Sequence, residues 1–320
     1  MCFRSLSINS FFVLVIVSCG SISARDIEHP LYLGVIEPYR SGTGSNEVPA
    51  QPAVRMAFVH QSGIWQPMPN QARNEAELDH LATRYPRSVH WVIAFDGKFR
   101  GEFNATRPLR WDHYSDVGVF HSDPKSHIDL VTKGWRDFRY WGGPQHFRPM
   151  VVVSTSNFRD PDDWKPWTPT SLELARFYPA FRVAAGTMSF TCNYYDPDKP
   201  EHLKAETYPN KRIVLVKAYR SKQGYRLVAL KIDPNAIHGP CHGNNEILSA
   251  NWPHWTEQWL LDKGNGPEFL GRSLELIDAG DYDGNGYSEI VFHKYGYNHD
   301  AYVLLFDHLS KQIEFGWVYH

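Results

Sequence analysis

One nine-residue run in this chain has the residue types and spacing to hold a metal ion: Asp281-Tyr282-Asp283-Gly284-Asn285-Gly286-Tyr287-Ser288-Glu289. Asp281, Asp283, Asn285 and Glu289 place side-chain oxygens at positions 1, 3, 5 and 9, and the backbone carbonyl of Tyr287 is a further donor at position 7. Calcium is a hard cation that takes about six to eight oxygens in a flexible geometry, and a tightly wound loop with alternate side chains turned inward supplies them. Gly284 and Gly286 permit that winding, because such loops need positive φ where a Cβ would clash. Three carboxylates more than neutralise one divalent ion, so Ca²⁺ is the expected occupant.

An EF-hand loop would need a bidentate Glu at its twelfth position. That position is Phe292, and Ile290-Val291-Phe292 reads as a strand rather than a helix. The wider stretch, Ala279-Gly280-Asp281-Tyr282-Asp283-Gly284-Asn285-Gly286-Tyr287-Ser288-Glu289-Ile290-Val291-Phe292, resembles the FG-GAP repeat of integrin α-chains and of many bacterial exported proteins. The resemblance covers about fourteen residues. It implies a loop that joins two strands of a propeller blade and binds Ca²⁺. Strand patterns at 274–280, 288–293, 301–306 and 312–319 fit one such blade. Partial echoes of the loop at Asp196-Pro197-Asp198 and Asp262-Lys263-Gly264-Asn265-Gly266 lack the full ligand set.

Other residues could do chemistry. Cys192 and Cys241 are left once Cys2 and Cys19 are assigned to the N-terminal segment, an even number that suits one disulfide in an oxidising compartment. The alternative is a metal site from His238, Cys241 and His242, although Gly239-Pro240 between them reads as a turn. Asp160-Pro161-Asp162-Asp163-Trp164-Lys165-Pro166-Trp167-Thr168-Pro169 is expected to be a surface loop, because each proline removes a donor and constrains its predecessor. Trp164 and Trp167 are its candidate ligand contacts, or simply anchoring aromatics; Asp160, Asp162 and Asp163, with Asp137, are the carboxylates a hydrolase could use. No Gly-x-Ser-x-Gly elbow, His-Glu-x-x-His, Cys-x-x-Cys or phosphate loop occurs, and no catalytic residue is assigned.

The elements that must position these groups are mostly strands. The chain has 11 Trp, 17 Tyr and 18 Phe, rings that favour half-buried strands, punctuated by 23 Gly and 22 Pro. Strands are predicted at 31–36, 54–59, 90–95, 149–154, 212–219 and 225–232. Asp96-Gly97 suits a tight hairpin turn, and 221–224 joins another hairpin. Helical spacing is confined to 75–85, to 171–178 after the cap Thr170, and to Trp252, Trp255 and Trp259 on one face of a short helix. The expected fold is all-β with a few short inserted helices; the resemblance implies an irregular β-propeller with an FG-GAP-type C-terminal blade.

Residues 1–24 have the layout of an export signal: Arg4, an apolar run at 11–17, then small residues. The run is shorter than the roughly 20 apolar residues a transmembrane helix needs. Ile16-Val17-Ser18-Cys19 resembles a bacterial lipobox, with Cys19 the lipidated residue; cleavage after Ala24 is the alternative. Residues 25–320 then form a single β-rich domain, with 273–320 the calcium-loop blade. Hydrophobic residues make up 42% and charged residues 21%, an ordinary globular mix. Lys plus Arg number 33 against 35 Asp plus Glu, a balance with no field to attract nucleic acid or an anionic membrane. The expectation is an exported calcium-binding envelope or surface protein, in the periplasm, on the outer membrane or outside the cell. It would bind a glycan or an envelope protein and touch a membrane only through a lipid anchor. A secreted hydrolase and a purely structural envelope protein are the alternatives.

Overall fold

Aromatic and β-branched runs become strands throughout the computed structural model, which describes residues 29–39, 51–111, 114–123, 128, 149–155, 158–185, 189–191, 202–204, 210, 213–232, 257–296 and 298–318. Of these, 54% lie in strands and 13% in helices, so the all-β class holds. Residues 1–24 with Cys19, the pair Cys192 and Cys241, His238, His242, Asp137, residues 196–198, Trp252 and Trp255 lie outside the described residues.

The N-terminal sheet contains β1 (Leu31–Tyr39), β2 (Gln51–Gln61), β3 (Ile64–Pro67), β4 (Ser88–Phe95), β5 (Lys98–Thr106), β6 (Val119–Ser122) and β7 (Met150–Val153). All pairs are antiparallel, and they run from β1 through β7, β4, β5, β6 and β2 back to β1, a closed circuit, with β3 pairing residues 58–61 of β2 beyond the 53–55 that pair with β6. The β4–β5 turn has φ of 51° at Asp96 and 71° at Gly97, as its Asp-Gly pair predicts.

A second sheet, in the order β14-β13-β12-β11-β8, contains β8 (Lys165–Pro166), β11 (Ile213–Arg220), β12 (Arg226–Ile232), β13 (Gln258–Asp262) and β14 (Pro267–Arg272). Between β8 and β11 the described residues form two helices and the two-stranded pair β9 (Ser189–Thr191) and β10 (His202–Lys204). The third sheet is the C-terminal meander β15 (Leu274–Gly280), β16 (Glu289–Tyr295), β17 (His299–Phe306) and β18 (Lys311–Val318), the four strands predicted from 274 onward.

That third sheet is the central layer, which explains its nearly continuous apolar strands. Along β16 and β17, Val291, Tyr302, Leu304 and Phe306 pack into the core shared with the N-terminal sheet. Their neighbours Ile290, Phe292, Val303 and Leu305 pack with Trp164, just before β8, and with Tyr219, Leu227 and Trp259 of the second sheet. Period two thus serves two cores at once. The far face of the second sheet, Val228, Leu230 and Leu260, is covered by Phe177, Phe181 and Ala185.

Helix α1 (Glu75–Thr83) starts at Asn74, whose side chain accepts the Glu77 N–H at 2.9 Å. Helix α2 (Ser171–Ala175) has the capping box Thr170/Glu173. The expected 171–178 helix is shorter than predicted, and Tyr178-Pro179 opens α3 (Tyr178–Ala185) instead of ending a helix. Proline is tolerated in a first turn because its missing N–H would have no partner there anyway. Trp259 is likewise not helical. It lies in β13, fully buried, and its Nε1 donates to the Leu274 carbonyl at 2.7 Å.

Candidate metal centre

The loop joining β15 to β16 brings together Asp281, Asp283 and Glu289, which can each offer a carboxylate oxygen within 4.8 Å of the others. The strands set this convergence. Gly280 pairs with Glu289 in register, so the first and last acids stand at the same end of the hairpin. Gly284 and Gly286 take φ of 78° and 91°, which lets the intervening chain wind back. Backbone donors then fix the side chains. Gly286 N–H donates to Asp281 Oδ2 at 3.0 Å, Asn285 N–H to Asp283 Oδ1 at 3.1 Å, and Tyr282 N–H to Glu289 Oε2 at 2.7 Å.

Burial and like charge make the cluster expensive to ionise. Burial, followed by the charges of Asp283 and Asp281, pushes Glu289 well above the ordinary carboxylate range; the Tyr282 N–H opposes this. Burial also raises Asp281, against the opposing Gly286 N–H. Asp281 is 2% exposed, and its Oδ1 has no hydrogen-bond partner among the described residues. A buried acceptor without a donor costs about 1–3 kcal/mol, and a cation inside the triad would supply the missing interaction. The donor set is all oxygen and anionic, which fits a hard divalent ion such as Ca²⁺.

The other predicted ligands take different positions. Asn285 is exposed; its Oδ1 accepts the Tyr287 N–H at 2.8 Å and its Nδ2 donates to Asp283 Oδ2 at 3.1 Å. The Tyr287 side chain turns outward, 40% exposed, with its ring 3.7 Å from that of His308.

The proline-rich stretch is a buckle rather than a solvated loop. Arg159 bridges to Asp281, with the Asp281 N–H donating to its carbonyl at 2.7 Å. Ser288 Oγ donates to Asp160 Oδ1 at 2.6 Å, and Ser288 N–H donates to Asp162 Oδ2 at 3.0 Å. Asp160 also accepts from the N–H groups of Asp163 and Trp164, and Asp162 accepts from Gln223 Nε2 at 2.6 Å. These carboxylates brace the metal loop, and the Trp164 N–H bond draws the chain inward. Trp164 is 3% exposed, so its ring packs in the core instead of facing a ligand. Trp167 is half-buried against the α3 cluster.

The Asp262 echo has its own solution. Gly264 and Gly266 N–H groups donate to Asp262 Oδ1 at 2.8 and 3.2 Å, as glycine N–H groups serve Asp281. Its Oδ2, however, faces Arg226 at 3.2 Å and Arg176 at 3.5 Å. Burial pushes Asp262 up, but these hydrogen bonds and cations outweigh it and leave the group below its ordinary pKa.

Comparison of the chain with protein-family models, with curated proteins and with solved structures finds no match in any of the three.

Proposed function

We propose that this chain is an exported calcium-binding protein of the cell envelope or surface, in which the β15–β16 loop holds Ca²⁺ through Asp281, Asp283 and Glu289. The observation that carries the proposal is the buried, unpartnered Oδ1 of Asp281 inside a triad of acids, two of which, Asp281 and Glu289, are raised first by burial and then by their acidic neighbours. A bound ion would neutralise that charge and fasten together the three segments that meet at the loop. The C-terminal meander is then an FG-GAP-type blade of an irregular propeller. The N-terminal apolar segment and Cys19 support export with a lipid anchor.

The role that follows is a binding module for a glycan or an envelope protein, with the ion holding the recognition surface rigid. Tyr287, its ring tilted against that of His308, is the aromatic surface that a ligand would meet beside the loop. Thermal unfolding of the soluble chain in excess Ca²⁺ and in EDTA tests the metal assignment. Ligand at about 100 times its dissociation constant adds roughly 2.7 kcal/mol, a shift of several degrees for a domain of this size. Asp281→Asn abolishes the shift. Equal midpoints in Ca²⁺ and EDTA for the unmodified chain would overturn the proposal.

A further inference from the structure

Asp283 is held from outside its own sheet. Trp65 Nε1 donates to Asp283 Oδ2 at 3.2 Å, across 218 positions of sequence. His60 Nε2 lies 3.6 Å from the same oxygen. His60 and Trp65 are register partners in the β2–β3 hairpin, with ring centroids 5.1 Å apart. Trp65 is 2% exposed. An indole N–H can only donate, so a buried tryptophan needs an acceptor; here the acceptor is a carboxylate of the metal triad. The other donors to Asp283, the Asn285 N–H and Nδ2, belong to the exposed tip of the loop itself. Among the described residues, only the hairpin anchors this carboxylate to a core.

We propose that the β2–β3 hairpin is the outer part of the metal centre, and that Trp65 is the positioning residue for Asp283. This rests on the calcium assignment above. Outer donors hold a ligating carboxylate in one orientation, so the ion meets a prepared oxygen, and losing such a donor typically costs about 10–100-fold in metal affinity. The same bond couples the ion to the N-terminal sheet. Calcium that fixes Asp283 also fixes Trp65, and through it the hairpin.

Calorimetric titration of the full chain with Ca²⁺ compares wild type with Trp65→Phe, which keeps a buried ring and removes the N–H. The expected result is binding in both, about 10–100-fold weaker in the variant. Equal affinities in the two proteins would leave Trp65 a packing residue and overturn the inference while the calcium assignment stands. No binding to folded wild type would remove both. Hydrogen exchange of wild type gives a measure independent of any variant. Calcium should slow exchange in residues 58–67 as well as 281–289, whereas slowing confined to 281–289 would overturn the coupling.

Discussion

Arg226 Nη1 sits 3.2 Å from Asp262 Oδ2, and this pair gives the β13–β14 turn a protein cation of its own. Asp262 is fully buried and Arg226 partly buried, and their neighbour Arg176 is half exposed. The β15–β16 loop has the same glycine-supported aspartate but no arginine, and it carries two further acids instead.

Arg226→Ala is therefore expected to destabilise the fold by about 2 kcal/mol, the range for losing a hydrogen bond to a charged group, because Arg176 and the two glycine N–H groups still serve Asp262. Urea unfolding measures it. The pH dependence has a fixed sign. Asp262 is depressed in the folded state, so its contribution is present above the unfolded value of about 3.9 and is lost as pH falls through the folded value. Asp262→Asn should flatten that acid limb and leave the Ca²⁺ response in place.

Gly280 is where the buckle meets the metal loop. A Cβ at this position would run into the Phe158 ring, which stacks on Tyr282 at 5.5 Å and 15°. Gly280→Ala should cost about 1–3 kcal/mol, as overpacking does in a filled core. In a Phe158→Ala background the same change should cost much less. Additive losses across the double-mutant cycle would show that Phe158 is not what requires the glycine.

Local chemistry was the legible part of this molecule. Acids at positions 1, 3 and 9 of a glycine-wound loop converge as their spacing implies, and Leu274–Gly280 and its three successors form the four strands expected of them. What was not legible depends on distant partners. Asp160 and Asp162 sit among prolines, a composition that reads as solvated, yet Ser288, 126–128 positions away, turns them inward. Trp65 has no local sign of its acceptor. Trp259 fell on a helical stripe by coincidence of spacing, and strand pairing with Ala229 and Gly271 decided otherwise.

Arg55 ties the N-terminal sheet to the central one. Its guanidinium makes a bidentate pair with Glu37 at 2.8 and 3.0 Å, donates to the carbonyls of Ser115 and Val117, and lies 4.1 Å above the Trp317 ring. Tyr302 donates to the same Glu37. Arg55→Ala strands a half-buried carboxylate and two carbonyls, and should cost about 3 kcal/mol. Arg55→Lys restores the charge without the planar fork and should recover less than half of that. Denaturant midpoints order the three proteins, and a lysine variant as stable as wild type would reduce Arg55 to a point charge.

Glu289 should make the calcium-free protein more stable in mild acid than at neutral pH. Its pKa is raised in the folded state, chiefly by burial and then by Asp283 and Asp281. The folded chain therefore binds a proton that the unfolded chain has released, between an unfolded value of about 4.3 and the raised folded value. Stability falls as pH rises through that window and levels off above it. Calcium should reverse the slope, because an ion held by the ionised triad would have protons competing with it. Thermal melts from pH 5 to pH 8 in EDTA should show a declining midpoint, and the same series in excess Ca²⁺ a rising one. Glu289→Gln removes the ionisation and keeps an oxygen for the Tyr282 N–H. In EDTA at neutral pH it should melt above wild type, with the declining slope reduced and the Ca²⁺ response weakened. A variant that melts below wild type under those conditions would mean that Glu289 is stabilising as an anion, held by a partner other than a metal ion.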